Sequence, residues 1–209
     1  MRVIDIMNRN VLDILQDFRH TFMIRYDVTE TNTFLTDDRG SEYWCSDEVL
    51  EDMQHDHDGS PPAARSYCLK PDHYKGCEKT DYVIDYMCLD SRLKTELGVQ
   101  FSALSQLYPP SGFIGWHTNE NASAYNLIFT YSETGDGYFE YIDPKTKEKI
   151  RVQDKKGWNC KAGYFGSSYE SDRIVYHCAS TNCWRMTLSF TLGHDYDFWQ
   201  DCIEHISTP

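Results

Sequence analysis

Leu107-Tyr108-Pro109-Pro110-Ser111-Gly112-Phe113-Ile114-Gly115-Trp116-His117 is the stretch on which the reading of this chain turns. Two short apolar and aromatic runs flank a Pro-Pro-Ser-Gly turn, and the second run ends on a histidine. Such runs, separated by Gly, Pro, Asp and Ser, read as short strands. The same texture continues from Gly98 onward, with candidate strands at Gln100 to Tyr108, Phe113 to His117, Tyr125 to Tyr131, Tyr138 to Ile142, Lys149 to Val152, Lys161 to Phe165, Arg173 to His177 and Arg185 to Leu192. This many short strands in so few residues predicts a jelly roll, two facing sheets with a ligand pocket between them.

Upstream the period is helical. Val3, Ile6, Met7, Val11, Ile14, Leu15, Phe18 and Phe22 recur at three- and four-residue spacings, which predicts an amphipathic helix over residues 3 to 22. A second helix follows the cap candidate Ser46 through Val49, Leu50 and Met53, and a third runs from Thr80 to a Gly98 stop. Residues 54 to 78 between them are acidic, contain Pro and Gly, and read as loop. The tail Tyr196-Phe198-Trp199-Cys202-Ile203 has the spacing of a short docking helix. The expected organisation is α+β and mainly β. Residues 1–98 form a helical and loop elaboration, 99–195 a double-stranded β-helix, and 196–209 the docking helix.

Histidines stand at the ends of two predicted strands, His117 and His177, and Arg185-Met186-Thr187 opens the next. A lone histidine on an apolar strand is more often a satisfied core residue than a ligand. It is the order that carries weight here: strand then His, strand then His, strand opening with Arg-x-Thr. A jelly roll brings the ends of nonadjacent strands together, so two imidazoles can share one metal and leave coordination positions open. The planar fork of Arg185 suits a carboxylate in the same pocket, with the Thr187 hydroxyl adding a hydrogen bond.

With these residues the chain resembles the iron(II)/2-oxoglutarate dioxygenases, in particular their prolyl-hydroxylase-like branch, over about residues 100 to 192. The resemblance implies an oxidoreductase, a hydroxylase in which His117 and His177 bind iron(II). Arg185, Thr187 and Tyr108 would bind the small-molecule co-substrate 2-oxoglutarate. It points to a peptide substrate, for instance a prolyl side chain, or to a small molecule. The family pattern has Asp or Glu two residues after the first histidine, where this chain has Asn119. Asn119 then either ligates through its amide oxygen or hydrogen-bonds a metal-bound water while the two histidines hold the iron. Strand alternation would turn the adjacent Glu120 to the opposite face. Asn is nearly as large as Asp, which argues against the halogenating variant of this chemistry. The alternative function is a catalytically silent jelly-roll binding or assembly protein that has lost the iron carboxylate.

The 209-residue chain has a formal net charge of −13, so its surface disfavours nucleic acid, whose phosphates need clustered Lys and Arg. No run approaches the ~20 apolar residues of a membrane span. The start Met1-Arg2-Val3-Ile4-Asp5-Ile6 has no signal-peptide pattern, so a soluble, cytoplasmic protein is expected. In that compartment the 8 cysteines read as free thiols, and the sequon Asn121-Ala122-Ser123 reads as accidental. Cys45, His55, His57, Cys68, His73, Cys77 and Cys88 could supply a zinc site, but their spacing matches no compact finger. Buried thiols and surface histidines are the simpler account. Gly135-Asp136-Gly137 and Asp143-Pro144-Lys145-Thr146 read as turns.

Overall fold

The structure, a computed structural model, describes residues 1–30, 38–55, 59–73 and 80–209. In chain order come β1 (Arg2–Ile4), α1 (Arg9–His20) with a π-helical turn at Thr21–Arg25, α2 (Gly40–Trp44) and α3 (Asp47–His55). Then follow β2 (Ala64–Arg65), β3 (Tyr67–Cys68) and α4 (Thr80–Leu97). The rest is β4 (Phe101–Tyr108), β5 (Gly112–His117), β6 (Ala124–Ser132), β7 (Gly137–Ile142), β8 (Lys149–Gln153), β9 (Gly157–Phe165), β10 (His177–Thr181), β11 (Arg185–Thr191) and α5 (Tyr196–Ser207).

The fold is mainly β. A six-stranded sheet runs β1-β9-β6-β11-β4-β3 and a five-stranded sheet runs β2-β5-β10-β7-β8. Every strand pair in them is antiparallel.

Alternation assigns the two faces of the six-stranded sheet different tasks. Leu127 and Phe129 of β6, Cys160 and Ala162 of β9, and Met186, Leu188 and Phe190 of β11 form a continuous core with α1, α4 and α5. Leu15, Phe18 and Phe22 are fully buried there, and burying each such side chain is worth about 1.5–3 kcal/mol. The opposite face is buried and polar: Thr130 and Lys161 are 0% exposed and Arg185 is 2% exposed. An ordinary sandwich interior is apolar. Arg185 on this face also lines the cavity between the sheets. On the outside of the five-stranded sheet, Cys45, Val49 and Leu50 of the α2–α3 segment pack on Trp116, Ile142 and Cys178.

The elements expected downstream of Gly98 are present, with β9 beginning at Gly157 and not at Lys161 and with one shift. The expected strand ending at His177 is instead a strand beginning there, because Val175 lies before β10 and its carbonyl is taken by the His177 ring. At the N-terminus, Asn8 caps α1 through its side chain, which accepts from the Val11 N–H at 3.1 Å. The helix therefore starts at Arg9 and not near Val3. Arg2–Ile4 pairs with Cys160–Ala162 instead. Further on, Ser46 caps α3 (Val49 N to Ser46 Oγ, 3.3 Å). Gly98 stops α4 at φ 68°, a conformation that glycine adopts without strain. The N-terminal segment also meets the C-terminal helix: the Met7 and Asn8 N–H groups both donate to the Ile206 carbonyl, at 2.9 and 3.1 Å. Among the described residues no helix is long and apolar enough to cross a membrane.

Candidate functional site

Two strands bring the histidines together. His117 ends β5, His177 begins β10, and the two are direct register partners. The next register pair is Ile114 with Ala179, so residues 114 to 117 on β5 span the same stretch as 177 to 179 on β10. β5 therefore carries one extra residue, a bulge at Gly115-Trp116 opposite Cys178. Bulges of this kind re-aim side chains. Here the bulge lets Ile114 and His117 both line the interior cavity while Trp116 packs outside against α3. Gly115 also admits α2 closely, since a Cβ there would lie 3.2 Å from the Trp44 carbonyl oxygen.

The imidazoles lie with ring centroids 4.0 Å apart. His117 Nδ1 is 2.8 Å from the Gly115 carbonyl and His177 Nδ1 is 2.9 Å from the Val175 carbonyl. A carbonyl only accepts, so both Nδ1 atoms carry a proton, and in the neutral imidazole the lone pair then lies on Nε2. This is the tautomer of a metal-binding histidine oriented by its backbone. Burial, then the charge of His117, holds the His177 imidazole well below the ordinary histidine range, so it stays neutral near pH 7. Phe165 meets the His177 ring edge-on at 5.0 Å, and Phe139 lies 5.6 Å away.

Across the cavity, Arg185 opens β11 opposite Tyr108, the last residue of β4. Its guanidinium donates through Nε to Asp154 Oδ2 at 2.8 Å and through Nη1 to Thr187 Oγ1 at 2.7 Å. Its Cζ sits 5.3 Å from the Tyr108 ring centre. Three donors are then left over. Arg185 Nη2 and the Tyr108 hydroxyl meet no acceptor among the described residues, and the Thr187 oxygen, already an acceptor, retains its own proton. Burial pushes the Tyr108 phenol up to about 12, so it remains a donor. All three residues line the same cavity as the histidines. Convergent buried donors without acceptors make a cradle for a carboxylate.

The cavity, about 330 Å³, is bounded by both sheets. The five-stranded sheet supplies Ile114, Phe139 and Ala179, and the six-stranded sheet supplies Leu104, Asn126 and Ile128. Asn119 lines it as expected, and so does Glu120, against the expectation from alternation. Glu120 follows the end of β5 with φ 48°, in the left-handed region, which breaks the alternation. Its carboxylate takes a short hydrogen bond from the Ser60 hydroxyl. Gly59 fits against it, since a Cβ at that position would overlap the Glu120 side chain. Among the described residues no three His, Cys, Asp or Glu side chains are grouped to hold a metal ion. Among the described residues the donor set fits a metal held by two imidazole nitrogens, with the Asn119 amide and the Glu120 carboxylate lining the same cavity.

Sequence reasoning missed Asp154 and Lys161, which lie beneath Arg185. Lys161 Nζ reaches Asp154 Oδ1 at 3.0 Å, Asn159 Oδ1 at 3.1 Å and Thr130 Oγ1 at 3.3 Å. Three acceptors match the three protons of an ammonium, whereas a neutral amine would have only two to give. Burial lowers the Lys161 pKa and the Asp154 carboxylate opposes that shift. Burial raises the Asp154 carboxyl, but Arg185 and Lys161 outweigh it and hold it below its usual range. Of the zinc candidates, Cys45 and Cys68 are buried free thiols and Cys88 is an exposed one. His55 is an exposed residue at the end of α3. His57, Cys77 and the side chain of His73 lie outside the described residues.

No family model matches the chain, and none of the curated protein sequences matches it. Several solved structures are similar to it at low identity. A prolyl-4-hydroxylase from Pseudomonas putida is 13% identical with a TM-score of 0.41, over 88% of this chain and 87% of that one. The dioxygenase for auxin oxidation 1 from Arabidopsis thaliana, solved with 2-oxoglutarate, is 11% identical with a TM-score of 0.34, over 92% and 81%. The viral collagen prolyl hydroxylase of Paramecium Bursaria Chlorella virus-1, also solved with 2-oxoglutarate, is 14% identical with a TM-score of 0.30, over 71% and 92%.

Proposed function

We propose that this chain is an iron(II)- and 2-oxoglutarate-dependent oxygenase on a double-stranded β-helix, hydroxylating a C–H bond of a peptide side chain such as proline or of a small molecule. The jelly-roll reading is supported by the path of the chain. β4, β6, β9 and β11 enter one sheet, while β5, β7, β8 and β10 enter the other, so the chain passes between the sheets at almost every connection. Residues 99–195 would be the catalytic core, with 1–98 elaborating it and 196–209 docking on it.

One observation carries the functional reading. A pair of imidazoles with Nε2 lone pairs and a cradle of three carboxylate donors line the same cavity, one on each sheet. A 2-oxo acid with a distal carboxylate has the two ends that this arrangement accepts. His117 and His177 would hold the iron, and Asn119 would either ligate through its amide oxygen or hold a water. Arg185 would bind the distal carboxylate in a charge-assisted pair, with Thr187 and Tyr108 donating to the same group. Ile114, Phe139 and Phe165 would exclude bulk water around the reacting centre. Bound iron(II) supplies activation of dioxygen, coupled to oxidative decarboxylation of 2-oxoglutarate. The substrate would enter past Asn119 and Glu120.

The test is succinate release and oxygen consumption by the purified chain with iron(II) and 2-oxoglutarate, which such enzymes show even without substrate. The amide at Asn119 supports a second reading, a binding or assembly module that has lost iron chemistry. Tight 2-oxoglutarate binding with no succinate under any condition would select that reading. Neither binding nor succinate would remove both.

A further inference from the structure

Asp154 lies in Gln153-Asp154-Lys155-Lys156, a charged stretch that reads as a solvated turn, yet its side chain is 0% exposed. Its backbone N–H is tied to the Gly137 carbonyl at 2.8 Å. One carboxylate oxygen takes Lys161 at 3.0 Å and the other takes Arg185 Nε at 2.8 Å. The space it occupies is kept by a missing side chain, since a Cβ on Gly137 would lie 2.9 Å from Asp154 Oδ2 and 2.9 Å from Thr181 Oγ1.

We propose that Asp154 and Lys161 are positioning residues for the cavity's anion site. Asp154 grips the Nε edge of Arg185 so that Nη2 faces the ligand, and Lys161 restores the positive charge that Asp154 cancels. The proposal rests on the reading of Arg185 as the anchor for the distal carboxylate. Two cations and one carboxylate leave a single surplus positive charge in a buried site. A buried surplus charge is costly until a counter-charge arrives. One carboxylate neutralises it, whereas a phosphate dianion would overshoot. The site is therefore matched to a monoanionic ligand end. Lys161, with all three protons engaged, contributes charge without touching the ligand. Arg185, with Nη2 unengaged, makes the contact.

Charge and position make opposite predictions for Asp154→Asn. Charge alone predicts tighter anion binding, because the site gains a positive charge. Positioning predicts weaker binding, because the guanidinium loses the partner that orients it. The experiment titrates the full chain, with Mn(II) in place of iron so that no turnover occurs, using 2-oxoglutarate and then 2-oxobutanoate, which lacks the distal carboxylate. The readout is the ratio of the two dissociation constants, which a change in the folded fraction does not move.

The native chain should prefer 2-oxoglutarate by at least about tenfold, the scale of a desolvated charge pair. Asp154→Asn should reduce the preference to within about threefold, and Lys161→Met should at least halve it, both on that scale. If Asp154→Asn does not fold, Lys161→Met carries the test. An unchanged or larger ratio in the variant that folds overturns the proposal and leaves the anchor role of Arg185 standing. A native chain with no preference removes that anchor role, and the proposal with it.

Discussion

His177 faces His117 across the β5–β10 pair with ring centroids 4.0 Å apart, and the extra residue of the β5 bulge is what turns His117 inward to meet it. Each ring is held by a backbone carbonyl, so the geometry belongs to the fold and does not wait for a ligand. His117→Ala or His177→Ala should abolish specific Mn(II) or iron(II) binding while leaving the fold intact, because each removes half of a two-nitrogen site. Paramagnetic resonance of Mn(II) titrated into each variant checks this. Binding of native strength in either one would place the metal elsewhere.

Arg185 is set between Asp154 and Thr187, and truncating one member of a desolvated charge pair costs about 2–5 kcal/mol. Arg185→Ala should therefore weaken 2-oxoglutarate by at least about tenfold. Arg185→Lys should recover only part of that, since an ammonium cannot keep the Asp154 and ligand contacts in one plane. Calorimetric titration reads both. An unchanged affinity in Arg185→Ala would take the co-substrate out of this pocket.

Gly137→Ala acts on the same guanidinium at one remove. The added methyl would stand 2.9 Å from Asp154 Oδ2 and 3.1 Å from the Ser180 carbonyl oxygen, and such overpacking costs about 1–3 kcal/mol. Both stability and 2-oxoglutarate affinity should fall. Gly157→Ala is the control. Gly157 has φ +86°, and a methyl added there would meet nothing within 4 Å, so the variant should lose about 1 kcal/mol to backbone strain and keep its ligand affinity. Denaturant unfolding and ligand titration of the pair separate the two effects, and equal ligand affinity in both variants would contradict the steric account.

Asn119→Asp adds a full negative charge beside the proposed cation. It should tighten iron(II) by about tenfold or more, one carboxylate ligand being worth at least that beside two imidazoles. Activity need not rise with it, because ligand field and geometry change together. Anaerobic metal titration of the two proteins decides, and equal, negligible affinity in both would favour the binding-module reading.

What the sequence disclosed follows from how far each feature depends on local pattern. β4 through β9 and β11 could be read because alternation and turn residues repeat over five or more positions. β1, β2 and β3 are two or three residues long and show no period. His117, His177 and Arg185 stood out by their order along the chain. Asp154 did not, because Asp-Lys-Lys is what a solvated turn looks like and burial is a property of the neighbours. Glu120 was assigned to the wrong face because a single left-handed residue reverses the alternation on which such an assignment relies.

The closure of the N-terminal segment on the C-terminal helix bears on how the molecule assembles. Arg2 hydrogen-bonds Gln200 from 198 positions away, and β1 completes its sheet only by pairing with β9. On an emerging polypeptide, then, β1 waits for β9 before it finds its partner, and β11, which carries Arg185, is later still. Contacts of such separation must overcome a large loop-closure entropy before they stabilise anything, and chains dominated by them fold in milliseconds to seconds. Until then α1 has only α4 to pack on and β6 lacks both its sheet neighbours, and keeping such exposed apolar surface from aggregating is a task for chaperones.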